Sequence, residues 1–243
     1  MLVGLLSTLL GSVTFTQLDR RLTASGYLKP YYAVHVLHNA MIVALTAGDV
    51  WTALTDVDSI FTRGITWPAV YLCYALHFYH LYEYWRVFHM DDWLHHVLMI
   101  GVALPLGSAT HGGALMGMTL FFTTGLPGGI NYALLFAERN GWVSRETEKA
   151  INVPVHQWLR GPGCVATATQ IFAMTQSATG ATRWDRVAAT LIAALTFWNG
   201  IYFTNQIVRA DERRRLNRPT AVAADASNTG RTPANPTARD APQ

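Results

Sequence analysis

Residues 31–45 read Tyr31-Tyr-Ala-Val-His35-Val-Leu-His38-Asn39-Ala-Met-Ile-Val-Ala-Leu45, an apolar run with no formal charge that still carries two histidines and an asparagine. Continued to residue 54, the segment has the ~20-residue length of a spanning helix. His35, His38 and Asn39 are spaced by three and four residues, so on a helix they share one face. Ionisable side chains in hydrocarbon are costly and face a bundle interior or a water-filled cavity. The segment is therefore a helix of a membrane bundle with a polar interior.

Working outward, the rest of the chain agrees. It is 51% apolar and 14% charged, where a soluble domain carries about 25% charged residues; mean hydropathy is +0.18. Apolar segments at 1–17, 31–54, 65–88, 93–108, 112–136, 163–181 and 187–208 predict an all-α, multi-pass transmembrane helical bundle of about seven spans. Alternate connections hold thirteen basic residues, from Arg20 through Arg218, against three (Arg63, Arg183 and Arg186) on the other side. The positive-inside bias then places the N-terminus outside or lumenal and the C-terminus in the cytosol.

Three regions are expected. Residues 1–17 form an N-terminal anchor helix, read as retained because no basic segment precedes its apolar run and no small-residue cleavage site follows. Residues 31–208 form a six-helix membrane domain. Residues 209–243, rich in Arg, Ala, Thr, Asn and Pro, form a disordered cytosolic tail. The linker 137–160 is read as an amphipathic headgroup-level helix with Trp142 and Trp158 at the interface. Cys73 and Cys164 sit in apolar segments and serve as small core residues. No basic stripe with interleaved aromatics is present, which excludes a nucleic-acid partner; membrane lipids are the expected partners, and no feature marks an oligomer interface.

Seven of the nine histidines lie between His35 and His96. The alternating topology brings His35 and His38, His77 and His80, and His95 and His96 to one leaflet. At 1.5 Å rise per residue all three pairs fall within roughly 15 Å of the cytosolic boundary. His77, His80, Glu83 and Tyr84 recur at helical spacing, and Glu83 is placed to orient an imidazole and raise its basicity. His95 and His96 point about 100° apart, so one is expected in the cavity and the other against a neighbouring helix. Asp91 and Asp92 open their helix. Gly125-Leu-Pro127-Gly128-Gly129 predicts a kink or interruption followed by Asn131 and Tyr132. His89 and His156 read as interfacial surface residues.

Tyr82-Glu83 and Asp91-Asp92-Trp93-Leu94-His95-His96 together resemble the TLC-domain superfamily, which includes ceramide synthases and TRAM-like membrane proteins. Its hallmark is an adjacent histidine pair opening a membrane helix, with an aromatic–acidic step at the end of the helix before. The resemblance implies lipid metabolism or lipid homeostasis in the endoplasmic reticulum or another endomembrane. For ceramide synthases it implies acyl transfer from coenzyme A to an amine, with His95, His96 and Glu83 as catalytic residues. His35, His38, Asn39, His77, His80, Tyr84, Asp92 and Asn131 would then line the substrate cavity. No bound cofactor or metal is implied; acyl-coenzyme A would enter as co-substrate. The helix after the pair lacks the acidic cluster of ceramide synthases and carries Thr123, Thr124 and the glycine–proline stretch instead. This narrows the expectation to a lipid-related, TLC-like protein. Two other readings stand beside acyl transfer. One is a non-catalytic lipid-binding regulator of membrane composition. The other is a di-iron lipid hydroxylase using His35, His38, His77, His80, His95 and His96 as ligands.

Overall fold

The computed structural model describes residues 2–110 and 112–217; the predicted tail beyond residue 217 lies outside them. The described residues build seven long helices. They are α1 (Leu2–Ala24), α2 (Tyr31–Thr55), α3 (Trp67–Tyr84), α4 (90–109), α5 (Ala114–Arg139), α6 (145–177) and α7 (Arg183–Leu216). Among the described residues there is no strand. Four of these helices, α1, α2, α5 and α7, are long and apolar enough to cross a membrane. The others carry the histidines of α3, the Asp91-Asp92 and His95-His96 pairs of α4, and the polar first half of α6.

Boundaries move where tertiary contacts outlast hydropathy. The first helix runs seven residues past the expected anchor, because Asp19 faces α3 and not water: it is 4% exposed and accepts the hydroxyls of Tyr79 and, at 2.5 Å, Tyr84. The seventh continues through the expected start of the disordered tail to Leu216, where Asp211 binds Arg214 and Arg215, each at 2.7 Å. The linker helix is not a separate element. It is continuous with the sixth helix from residue 145 onward, its Ser144 cap accepting the Thr147 N–H.

α1 lies along α3, α2 along α5, and α6 along α7, with α2 also meeting α3. Close approach needs small residues: a Cβ on Gly11 of α1 would stand 2.8 Å from the Ala75 Cβ of α3. At the opposite end of the bundle from Asp19, the fully buried Asp49 accepts from Arg63 Nε at 2.5 Å and Thr66 Oγ1 at 2.7 Å, fastening α2 to the α2–α3 connection. The outer face of α1 presents exposed Leu2, Val3, Leu6, Leu10 and Val13. Exposed tryptophans fall at two levels, Trp51, Trp67 and Trp184 at one end and Trp85, Trp93, Trp142 and Trp158 at the other. Two aromatic belts separated by an apolar surface are the arrangement a bilayer selects.

Replacing Asp19 with Ala removes the acceptor of two tyrosine hydroxyls, one of them on the fully buried Tyr79. The expected cost is on the order of 2–4 kcal/mol. It should be read as a lowered unfolding midpoint in detergent; an unchanged midpoint would remove Asp19 as the α1–α3 fastener.

A histidine-lined cavity as candidate functional site

Six helices, α2 through α7, enclose a cavity of about 240 Å³ near the N-terminal end of α2 and the C-terminal end of α3. Three of its walls share a backbone device. Residues His96–Ala103, Phe121–Gly125 and His156–Arg160 are π-helical turns inside α4, α5 and α6. Each ends two residues before a proline: Pro105, Pro127 and Pro162. Proline has no N–H, and its ring clashes with the carbonyl four residues back. The preceding turn widens, and the next amides bond five residues back: Leu104 to Met99, Leu126 to Phe121, and Gly161 to His156. The widened turns present His96, Thr123, Thr124, His156 and Arg160 to the cavity.

In place of the expected kink or interruption at 125–129, α5 has a widened turn just before it, at Phe121–Gly125, and the helix runs on unbroken. Its glycines serve close packing. The Asn39 side chain of α2 crosses them, its Nδ2 standing 2.9 Å from where a Gly128 Cβ would be. Asn39 Oδ1 accepts from His38 Nδ1 at 2.8 Å and from Thr124 Oγ1 at 2.9 Å.

The histidines form a connected set. Ring centroids of His35 and His80 are 4.5 Å apart, those of His80 and His96 5.9 Å, of His77 and His96 5.1 Å, and of His77 and His95 5.6 Å. The tautomers follow from the hydrogen bonds. His35, His77, His96 and His156 each donate Nδ1–H to the carbonyl four residues back, those of Tyr31, Cys73, Asp92 and Asn152. Each therefore carries its lone pair on Nε2. His77 Nε2 accepts from His95 Nε2 at 3.4 Å. The Nε2 atoms of His80 and His96, and Nδ1 of His95, are buried without a partner.

Several expectations change. Both His95 and His96 line the cavity, because the wall curves around them with α3 on one side and Phe203 of α7 on the other. Glu83 does not: its carboxylate pairs with Arg20 of α1 at 3.0 Å, so it orients no imidazole. Tyr84 is committed to Asp19, and His38 and Asn39 pack behind the wall, with His38 edge-on to Phe15. His35, His77, His80, Asp92 and Asn131 do line it. Among the described residues no group of three or more His, Cys, Asp or Glu side chains is placed to hold a metal ion.

The linker reading conceals one wall of the site. Glu148, Asn152, His156 and Arg160 follow one another at intervals of four, and all are buried; His156 is 2% exposed, not a surface residue. Asn152 Nδ2 donates to Asn131 Oδ1 at 2.6 Å and to Glu148 Oε1 at 2.8 Å, fixing α6 against α5. The four-residue polar spacing is the sequence signal that would have found them. Tyr132, Asn199, Phe203 and Gln206 complete this side. A second cavity, of about 360 Å³ and mostly apolar, lies toward the other end of the bundle; the two share Met116, Thr119 and Ile192.

Searched against protein-family models, curated proteins and solved structures, the chain matches none of them.

Pro162→Ala restores an N–H and lets α6 close back to the α ladder, turning its first half by about 100°. Cysteines replacing Asn131 and Asn152 should cross-link under mild oxidation in the parent chain. In the Pro162→Ala background the yield should fall several-fold; equal yields would show that the proline does not set the register.

Proposed function

We propose that this protein is a membrane-embedded lipid enzyme that transfers an acyl group from coenzyme A to a lipid amine or hydroxyl. In this reading all seven helices span, and the histidine cavity opens to the cytosolic leaflet of an endomembrane. Coenzyme A, too polar to enter the bilayer, can approach there. The resemblance of Tyr82-Glu83 and Asp91–His96 to TLC-domain proteins supports the reading. The observation that carries it is the buried, unpartnered Nε2 of His96, whose lone pair is fixed by the Nδ1–H bond to the Asp92 carbonyl at 2.7 Å.

His96 Nε2 takes a proton from the acceptor amine or hydroxyl as that atom attacks the thioester carbonyl. The tetrahedral centre collapses, the carbon–sulfur bond breaks, and the imidazolium returns the proton to the departing thiolate. The products are the acylated lipid and free coenzyme A. The apolar cavity beyond Met116, Thr119 and Ile192 suits the acyl chain.

His96→Ala should lower acyl transfer about 100-fold or more at unchanged expression, read by comparative lipidomics of cells carrying each form. If neither this variant nor the His95/His96 double alanine variant alters lipid composition, the cavity holds lipid without transforming it. Stoichiometric iron in the purified protein would favour the hydroxylase reading instead. Met116→Trp should shift products toward shorter acyl chains without abolishing transfer; an unchanged distribution would place the chain elsewhere.

A further inference from the structure

Arg160 is a cation enclosed by the protein. Its side chain is 7% exposed and lines the histidine cavity. Nη2 donates to Asn199 Oδ1 at 2.8 Å, and the guanidinium carbon lies 5.1 Å from the centre of the Phe203 ring. Nε is buried with no acceptor, and so is Nδ2 of Asn199 beside it. Among the described residues no carboxylate forms an ion pair with Arg160. The two acids on the cavity wall are engaged elsewhere. Asp91 Oδ1 accepts from the Tyr202 hydroxyl at 2.7 Å, and Asp92 Oδ2 accepts from the His89 amide at 2.9 Å.

A guanidinium withdrawn from water without a counter-charge is costly, and buried N–H donors without acceptors add to that cost. Both deficits sit on one patch of wall and ask for the same thing, an oxygen anion. Small anions in water have no need of the apolar space next to this patch. That space continues past Met116, Thr119 and Ile192 into the second cavity.

We propose that Arg160 and Asn199 seat the anionic oxygens, carboxylate or phosphate, of an amphiphile whose apolar chain lies along the histidine cavity, beside the space given to the acyl chain. The guanidinium fork accepts two oxygens of such a group at once, and Phe203 holds its plane. The assignment deepens the proposed function by giving the substrate class a negative charge. It does not require catalysis, so binding can be read in the His96→Ala variant.

The test is equilibrium binding to the purified full-length chain in nanodiscs of neutral lipid, with oleate, dodecyl phosphate, oleyl alcohol and inorganic phosphate as probes. The parent chain and His96→Ala should bind one or both anionic amphiphiles at least about tenfold more tightly than oleyl alcohol. The preference between oleate and dodecyl phosphate identifies the head group. Arg160→Gln should lose that margin, leave oleyl alcohol within about twofold, and regain part of it as Arg160→Lys. Equal binding of oleate, dodecyl phosphate and oleyl alcohol to the parent chain would overturn the proposal, as would an Arg160→Gln chain that keeps the margin. Inorganic phosphate binding as tightly as dodecyl phosphate would overturn the amphiphile part. Should Arg160→Gln not fold, Asn199→Ala takes its place with an expected loss of about threefold to tenfold for the anionic probes alone. Loss of acyl transfer in His96→Ala with intact anion binding separates the two proposals.

Discussion

The backbone of a helix in an apolar bundle has nowhere to put an unpaired carbonyl, and three prolines at positions 105, 127 and 162 create that problem on three different helices. Each time the solution is local. The turn before the proline widens, the amide just ahead of the proline reaches back five residues, and the rod stays continuous. A widened turn displaces side chains that a regular helix would point at a neighbour. Because all three turns lie around one space, the displaced residues enclose a cavity where close packing would otherwise exclude one. The site depends first on this constraint and only then on its histidines.

Polar fastenings join the helices around and beyond that space. Asp19 with its tyrosines joins α1 to α3, and Asp49 with Arg63 and Thr66 secures the other end of α2. Asn39 bridges α2 to α5, and Asn152 ties α6 to the same helix through Asn131. Each joins a donor on one element to an acceptor on another and so holds the bundle together, although Asn39 Nδ2 and Asn152 Oδ1 stay buried without a partner. On the cavity wall His80, His95, His96, Arg160 and Asn199 also keep an atom unmatched, and there open space lies beside them. Unmatched atoms that border a cavity, unlike those packed between helices, are placed to meet something other than the protein itself.

Much of this is legible in the sequence because hydropathy and helical spacing are local properties. The seven apolar segments correspond to the seven helices, and His35, His77, His80, His95 and His96 come together as their stripes and the alternating topology require. What the spacing does not hold is the identity of distant partners. Glu83 stands one turn from His80, yet Arg20, 63 positions away in the chain, takes its carboxylate. The Glu148-Asn152-His156-Arg160 stripe is as regular as those of the first helices. Its charges and the adjacent tryptophans make the same residues fit a headgroup-level helix, and composition alone does not separate a buried polar face from a wetted one. Pro127 reads as a kink or interruption because the choice between a bend and a widened turn depends on what packs across it.

At 34 residues, α7 is about 51 Å long, against roughly 30 Å of hydrocarbon in a typical bilayer. Its outer turns are stiffened by Asp211 and strapped to the start of α6 by Arg214 and Glu146 at 3.3 Å. The same rod carries Asn199 and Phe203 on the cavity wall. The two helices that hold the Arg160–Asn199 pair are thus clamped again at their ends, so the wall is braced beyond the cavity as well as at it.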